Sequence, residues 1–200
     1  MIARTLALVV AALLGGCGHA GTRPPHPLTV QVLVADGLSA EAATGFVLRP
    51  GRVVTVAHVL DARGARVRVR VAGAPDRRAR IVSVDERDDL AMLAVPGLRA
   101  ARARLGGTAG TAILVLRGGR ARLIAASVRR SIVARIRTPD GRRAVRRPAL
   151  ELQAVVLPGD SGAPVLAADG RVAGVVFARS NLRARTAYAV SSGALGRLGN

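Results

Sequence analysis

Apolar and polar positions along this chain form short segments, some alternating and some continuous, that recur at intervals of roughly ten residues. Residues 66–71 alternate Arg with Val, which is the two-residue period of a strand with one solvated face. Gly, Pro and Asp separate the segments, a pattern typical of all-β barrels or sandwiches. We therefore predict an all-β chain of two six-stranded antiparallel β-barrels, at about residues 28–97 and 108–195. Residues 191–200 predict a short C-terminal helix.

The N-terminal segment, residues 1–16, has Arg4 followed by an apolar run and small residues. The run covers residues 6–14 and is too short to span a bilayer as a mature helix, so we interpret the segment as a secretory signal peptide. Its end resembles a bacterial lipobox, at which the signal is cut just before a lipidated cysteine. Cys17 is the only cysteine in the chain, and we predict that it carries the lipid. The alternative is a plain signal peptide cut near Ala20.

The segment that follows, residues 17–27, is rich in Gly, Pro, His and Thr, which predicts a tether and leaves residues 28–200 as the folded domain. With either signal, the domain would function outside the cytoplasm. We predict a cell-membrane lipoprotein that faces the periplasm or the cell-wall space, with a secreted protein as the alternative.

The formal net charge is +19, and all 31 basic residues are Arg. Such a charge suggests nucleic acid or an anionic membrane surface as a partner. The arginines are spread along the chain, however, and there are only two Phe, one Tyr and no Trp to stack on bases. We interpret the charge as solvated arginine faces of strands, with a dedicated phosphate-binding patch as the alternative, and consider nucleic acid an unlikely partner.

Three residues in separate segments carry the chemistry of a serine hydrolase. Ser161 lies in LPGDSGAPVL, residues 157–166, where Gly, Asp and Ser could equally form an ordinary tight turn. His58 ends an apolar strand and is the one histidine beyond the leader and tether, although a lone histidine is as often structural. Asp89 precedes another apolar strand within an acidic cluster, which by itself is more typical of a charged loop. Their joint occurrence in the order His, Asp, Ser favours a base, an orienting carboxylate and a nucleophile.

Glycines flank the candidate nucleophile. Gly159 and Gly162 permit the backbone conformation that directs the N–H groups of Gly159 and Ser161 into a common space. Two such N–H groups can form an oxyanion hole, which stabilises the negative charge of a tetrahedral intermediate. We therefore predict that Gly159 and Ser161 form the oxyanion hole.

The segments TVAHV around His58, DDLAML around Asp89 and PGDSGAPVL around Ser161 resemble the three catalytic motifs of trypsin-like serine proteases, in particular the HtrA-like bacterial branch. The fuller phrases DDLAMLAVPGL and LPGDSGAPVLAADGRVAGVVFA are most similar to the protease domain of actinobacterial periplasmic MarP-type proteases. The resemblance covers about residues 30–195 and implies a chymotrypsin-like double barrel with its active site in the cleft between the lobes. It also implies that His58 and Asp89 come from the first lobe and Ser161 from the second.

Two residues beside Ser161 depart from the family pattern. Ala163 stands where the family usually has a second glycine, and its methyl group could narrow the space near the nucleophile. Asp160 stands where HtrA-like members usually have Asn, as in animal trypsin-like enzymes. There it pairs with a newly cut N-terminal amine, which we do not expect here. Asp160 therefore needs solvent or an arginine, since burial without a partner would be costly.

By analogy with the family, Val155 lies on the floor of the specificity pocket, and Val176, Phe177 and Ala178 form its wall. An apolar floor favours small or medium aliphatic side chains over Lys or Arg at the cleaved position.

These observations predict an exported serine endopeptidase that needs no cofactor and no metal, acts on a protein or peptide substrate, and is anchored in the membrane by lipid. Its expected role is cell-envelope stress or protein processing. The alternative is a catalytically silent trypsin-like fold that serves as a basic binding module at the membrane surface. The presence of His58, Asp89 and Ser161 together favours the enzyme, because a binding module has no need to retain all three.

Overall fold

The computed structural model describes residues 27–35, 40–60, 66–107, 110–137 and 144–198 of the chain. The predicted signal peptide, Cys17 and nearly all of the predicted tether lie outside these residues. Within the described part, no helix is long and apolar enough to cross a membrane.

The described chain is built almost entirely of strands, in two consecutive sheets. The first sheet contains Thr29–Ala35 (β1), Ala40–Arg49 (β2), Arg52–Val56 (β3), Arg66–Arg70 (β4), Arg77–Arg78 (β5), Arg80–Asp85 (β6) and Leu90–Ala94 (β7). The second contains Gly110–Arg117 (β8), Arg120–Ala125 (β9), Ser127–Arg137 (β10), Ala144–Gln153 (β11), Pro164–Ala167 (β12), Val172–Arg179 (β13) and Thr186–Ser191 (β14). A 3₁₀ turn, Ser192–Ala194, and a one-turn helix, Leu195–Leu198 (α1), follow. The all-β class and the short C-terminal helix are confirmed.

Each sheet has seven strands, one more than predicted. The order is β5-β4-β1-β2-β3-β7-β6 in the first sheet and β10-β11-β14-β13-β12-β8-β9 in the second, with all strand pairs antiparallel. The extra strand of the first sheet, β5, is only two residues long and pairs with β4. In the second sheet, the Arg-rich stretch forms two long strands, β10 and β11, that pair along most of their length.

Side-chain alternation follows the sequence pattern closely. In β4 the two valines, Val67 and Val69, are buried while the three arginines on the other face are exposed. The predicted solvated arginine face is therefore present on this strand, and its exposed guanidinium groups need no partner to compensate for burial.

Two apolar clusters fill the molecule. The larger one contains the first-lobe residues Phe46, Leu90 and Met92 and continues onto second-lobe residues such as Ala149 and Phe177. The smaller one lies within the second sheet and includes Ile113, Leu152, Val165 and Val176. Because the larger cluster draws on both sheets, burial of apolar surface holds the lobes together at the place where the site residues lie.

Candidate active site

The register between β3 and β7 places His58 beside Asp89. The two strands are antiparallel, with Val56 opposite Leu90, so the residue after β3 faces the residue before β7. The N–H group of Ala57 accordingly donates to the carbonyl oxygen of Asp89 over 3.0 Å. His58, one residue further on, begins a 3₁₀ turn and projects its ring toward the Asp89 side chain.

Both carboxylate oxygens of Asp89 accept hydrogen bonds from His58. The imidazole Nδ1 lies 2.8 Å from Oδ2, and the backbone N–H of His58 donates to Oδ1 over 2.9 Å. Asp89 adopts a φ of 56°, which is a left-handed conformation. Apart from glycine, only short polar residues such as Asp and Asn adopt it readily. An unusual backbone conformation therefore coincides with the carboxylate that orients the ring, as is common at functional sites.

The Asp89 carboxylate also sets the protonation of His58. Its hydrogen bond raises the pKa of His58 above the ordinary value of 6.5; burial opposes this shift, the charges of Asp89 and Glu41 add to it, and the charge of Arg147 opposes it. In the neutral ring, a proton on Nδ1 that is donated to Asp89 leaves Nε2 free to accept another. This is the tautomer that a general base requires.

The loop that carries Ser161 docks onto β2 of the first lobe. The N–H of Thr44 donates to the carbonyl oxygen of Ser161 over 2.8 Å, and the Thr44 hydroxyl donates to the carbonyl oxygen of Gly159 over 2.8 Å. Gly162 has a φ of 88°, and a Cβ at this position would overlap the carbonyl oxygen of Thr44. Only glycine lets the loop approach β2 so closely.

Ser161 is half-buried on this loop, and among the described residues its hydroxyl forms no hydrogen bond with His58. Such contacts are often long in unliganded hydrolases and tighten when substrate binds. The His58–Asp89 pair is thus formed within the first lobe, and the loop that carries Ser161 contacts β2 of that lobe.

Two backbone N–H groups around Ser161 have no backbone partner among the described residues. The N–H of Asp160 donates to Leu157, and that of Gly162 donates to Val176. In the described part of the chain, the N–H groups of Gly159 and Ser161 donate to no backbone carbonyl. Gly159 has a φ of 91°, which is the conformational freedom predicted for it. Bonded and unbonded N–H groups thus alternate along residues 159–162, and the two unbonded ones are the predicted oxyanion donors.

Asp160, whose partner the sequence did not specify, is buried beneath the loop and pairs with Arg117. Its side chain is 1% exposed. Arg117 Nε donates to Oδ1 over 3.0 Å and Arg117 Nη2 donates to Oδ2, while the N–H of Leu157 also donates to Oδ2 over 2.8 Å. Arg117 ends β8, and nothing in its local sequence separates it from the other arginines, so sequence reasoning missed it.

The predicted specificity residues have different environments. Val155 is 47% exposed, whereas Val176 is fully buried in the second-lobe cluster. Phe177 belongs to the larger cluster that both lobes share, and its ring centroid lies 6.4 Å from that of Tyr188. Ala178 is partly buried against this larger cluster. Ala163 is fully buried in the second-lobe cluster, so its methyl group packs in the core.

The groups assembled here suit acyl transfer. They comprise the Ser161 hydroxyl, the His58 imidazole with its Asp89 partner, and the N–H groups of Gly159 and Ser161, which donate to no backbone carbonyl in the described part of the chain. Over the residues that the structure describes, no group of three or more His, Cys, Asp or Glu side chains is placed to hold a metal ion.

Comparison with known proteins gives the same picture. Residues 43–175 match the family described as the trypsin-like peptidase domain. The serine protease Rv3671c of Mycobacterium tuberculosis is 35% identical over 178 residues, covering 84% of this chain and 44% of that protein. The chain thus spans less than half the length of that curated relative.

Solved structures show the same similarity. The active form of the Rv3671c protease from M. tuberculosis has a TM-score of 0.77 and 30% identity, and the alignment covers 99% of this chain and 91% of that one. The structure of Deg5 has a TM-score of 0.67 at 24% identity, covering 87% of this chain and 88% of that one, which shows a shared fold.

Proposed function

This chain belongs to the trypsin-like peptidase family, and from that premise we propose that it is an exported serine endopeptidase. Ser161, His58 and Asp89 are the proposed catalytic triad. The observation that carries the proposal is the 2.8 Å contact between His58 Nδ1 and Asp89 Oδ2, since it leaves Nε2 to act as the base beside the Ser161 loop.

In the first half of the reaction, the Ser161 hydroxyl attacks the scissile carbonyl carbon while His58 Nε2 takes its proton. The N–H groups of Gly159 and Ser161 hold the oxyanion that forms. His58 then gives the proton to the leaving amine, the C–N bond breaks, and an acyl-enzyme remains on Ser161. Asp89 keeps the ring in the required tautomer and stabilises the imidazolium.

In the second half, water replaces the amine. His58 takes a proton from water, the resulting hydroxide attacks the acyl carbonyl, and the collapse of the second oxyanion returns the proton to Ser161 and releases the carboxylic acid product. The protein supplies every group in this cycle from its own side chains and backbone.

The Arg117–Asp160 pair supports an active site that needs no newly cut N-terminus. The carboxylate anchors the loop between Leu157 and Ser161 from below, and a bidentate arginine satisfies it from within the same lobe. The proposed oxyanion donors can therefore be held in place without a pairing N-terminal amine.

For substrate preference, we propose small or medium aliphatic side chains at the cleaved position, next to Val155, Val176, Phe177 and Ala178. The side chains of these residues are apolar and provide no carboxylate to receive Lys or Arg. A cleavage profile on a peptide library dominated by Arg or Lys would contradict this preference.

We also propose that the protein is lipid-anchored through Cys17 and acts in cell-envelope stress or protein processing. Replacement of Cys17 by Ser should move the protein from the membrane fraction to the soluble fraction and remove the mass of the lipid. If the protein stays in the membrane fraction after this change, the anchor proposal is wrong.

A fluorophosphonate probe, which phosphonylates activated serines with loss of fluoride, tests the enzymatic proposal. The purified full chain should be labelled, Ser161→Ala should not be, and Ser131→Ala should be labelled as the wild type is, because Ser131 is exposed on β10, away from the site loop. If the folded wild type is not labelled but binds anionic vesicles in a salt-sensitive way, the chain is a basic binding module instead.

A further inference from the structure

One buried charge near the site has no part in the mechanism proposed above. Arg147 lies on β11, and its side chain is only 4% exposed. The adjacent residues Arg146 and Pro148 are exposed on the other face of the strand, and only Arg147 of these three points inward. It lies on the face that meets the first lobe, close to Phe177 and Ala149 of the larger apolar cluster.

The guanidinium of Arg147 reaches across the lobe interface to Asp89. Its Nη1 lies 3.5 Å from Asp89 Oδ2, the same oxygen that accepts the hydrogen bond from His58 Nδ1. Its Cζ lies 5.1 Å from the centroid of the Phe177 ring. Among the described residues, neither Nε nor Nη1 of Arg147 has a hydrogen-bond partner.

This arrangement is unfavourable unless nearby groups compensate for the charge. A buried guanidinium with unsatisfied N–H groups loses its hydration and gains no hydrogen bonds in return. The two features that offset this loss are the negative charge of Asp89 and the π face of Phe177. Arg147 therefore depends on the Asp89 carboxylate, and that carboxylate in turn faces a cation from the opposite lobe.

We propose that Arg147 is a positioning residue of the triad: the second lobe inserts its guanidinium against Asp89. That carboxylate is thereby fixed between the His58 ring and the guanidinium, and Arg147 sets the charge balance around His58. The inference rests on the proposed function, because it assigns a role within the same triad. It adds a residue from the second lobe to a His58–Asp89 pair that the first lobe builds alone.

The electrostatic consequence has a definite direction. The charged groups that act on His58 are Asp89 before β7, Glu41 on β2 and Arg147 on β11. The two carboxylates favour the imidazolium, and Arg147 disfavours it. Loss of the Arg147 charge should therefore raise the pKa of His58 and make the ring a base only at higher pH.

The test is an NMR titration of His58 in the full chain carrying Ser161→Ala, which prevents self-cleavage. His58 is identified by the signal that disappears in His58→Gln, and His19 and His26 serve as internal references. In this background, Arg147→Met should move the His58 midpoint to higher pH. Arg147→Lys should keep it near that of the parent, and Arg146→Met, which removes an exposed charge next to Arg147 on β11, should leave it unchanged.

Kinetics provide a second readout in the chain with Ser161 intact. In Arg147→Met, kcat/KM should fall more near pH 6 than near pH 9. The loss should appear in kcat, while KM should change little. An equal midpoint in Arg147→Met and its parent, or an equal shift in Arg146→Met, would overturn the proposal. So would a loss of activity that is the same at every pH in both Arg147 variants, since that result indicates a purely structural role.

Folding of the variants is checked by thermal unfolding. Methionine fills a similar volume in the apolar interface, and Asp89 still accepts its two hydrogen bonds from His58 when Arg147 is replaced. If Arg147→Met does not fold, Arg147→Gln gives a second neutral replacement for the same titration. Because the titration uses an inactive background, its outcome is independent of whether the wild type is labelled by the fluorophosphonate probe.

Discussion

Arg117 and Asp160 form a two-point ion pair directly behind the candidate nucleophile. Arg117 Nε lies 3.0 Å from Asp160 Oδ1, and Arg117 Nη2 contacts the other oxygen of a carboxylate that is 1% exposed. Burial of a carboxylate next to Ser161 would be costly without such a partner. The pair therefore links the end of β8 to the loop that carries Ser161.

Replacement of Arg117 by Met should destabilise the fold and abolish probe labelling. The variant leaves Asp160 buried and unpaired, at an expected cost of about 3 kcal/mol in the free energy of unfolding. Arg120→Met, across the same hairpin and exposed, is the matched control and should behave as wild type. Adding Asp160→Asn to Arg117→Met should recover part of the stability, as measured by urea unfolding. A double variant no more stable than Arg117→Met would contradict this explanation.

The activity should depend on pH through His58. The Asp89 hydrogen bond raises the pKa of His58 above its ordinary value of 6.5, so the protonated and inactive form persists to higher pH than for a free histidine. The acid limb of kcat/KM against pH should accordingly lie above pH 6.5. A profile that stays flat from pH 8 down to about pH 5 would show that another group controls the rate.

The same shift should appear in stability. Because the folded-state pKa of His58 is raised, the imidazolium stabilises the fold fully below the unfolded value near 6.5, and this contribution is lost as pH rises through the folded pKa. The difference in thermal midpoint between wild type and His58→Gln should thus be larger at about pH 5 than at about pH 9. A constant difference would mean that His58 titrates alike in both states.

Replacement of Asp89 by Asn should reduce kcat by about 10⁴ while keeping the backbone conformation. Asn tolerates the left-handed φ of 56° as well as Asp does, whereas Asp89→Ala adds backbone strain at this position. Both variants should be inactive, and Asp89→Ala should have the lower thermal midpoint. If Asp89→Asn keeps full activity, the orienting role belongs to another residue.

Replacement of Gly162 by Ala should separate the nucleophile loop from β2. The added methyl group would overlap the Thr44 carbonyl and lie 2.7 Å from Thr55 Oγ1, at a φ of 88° that disfavours any side chain. We expect a loss of at least about 2 kcal/mol of stability and loss of labelling. Gly196→Ala, in α1 with open space around it, is the control and should change stability by less than about 1 kcal/mol. Normal labelling of Gly162→Ala would show that the loop can move without harm.

Where the sequence led to a correct prediction, the property was local. The alternation in β4 predicted one buried and one solvated face because a strand turns successive side chains to opposite sides. The count of six strands per lobe was too low by one. In the first lobe the extra strand, β5, has only two residues and no apolar pattern of its own. Short pairings and hairpin turns depend on the partner strand, which a local pattern does not reveal.

For the candidate site, too, the sequence identified the residues, and the structure showed how two of them are arranged. His58, Asp89, Ser161 and the glycines beside Ser161 could be named from the sequence because the reaction requires those residue types in recognisable local phrases. The register of β3 against β7 then joined two of them, as the structure shows.

The sequence by itself determined an all-β chain and the chemical groups of its candidate site. Only the tertiary structure decided which of the 31 arginines would be used there. Arg117 reaches Asp160 across 43 positions of sequence, and Arg147 reaches Asp89 from the opposite lobe. An arginine in a strand looks the same in sequence whether its guanidinium enters water or a lobe interface. The difference is the desolvation of the charge, and that depends on which surface the folded chain brings against it.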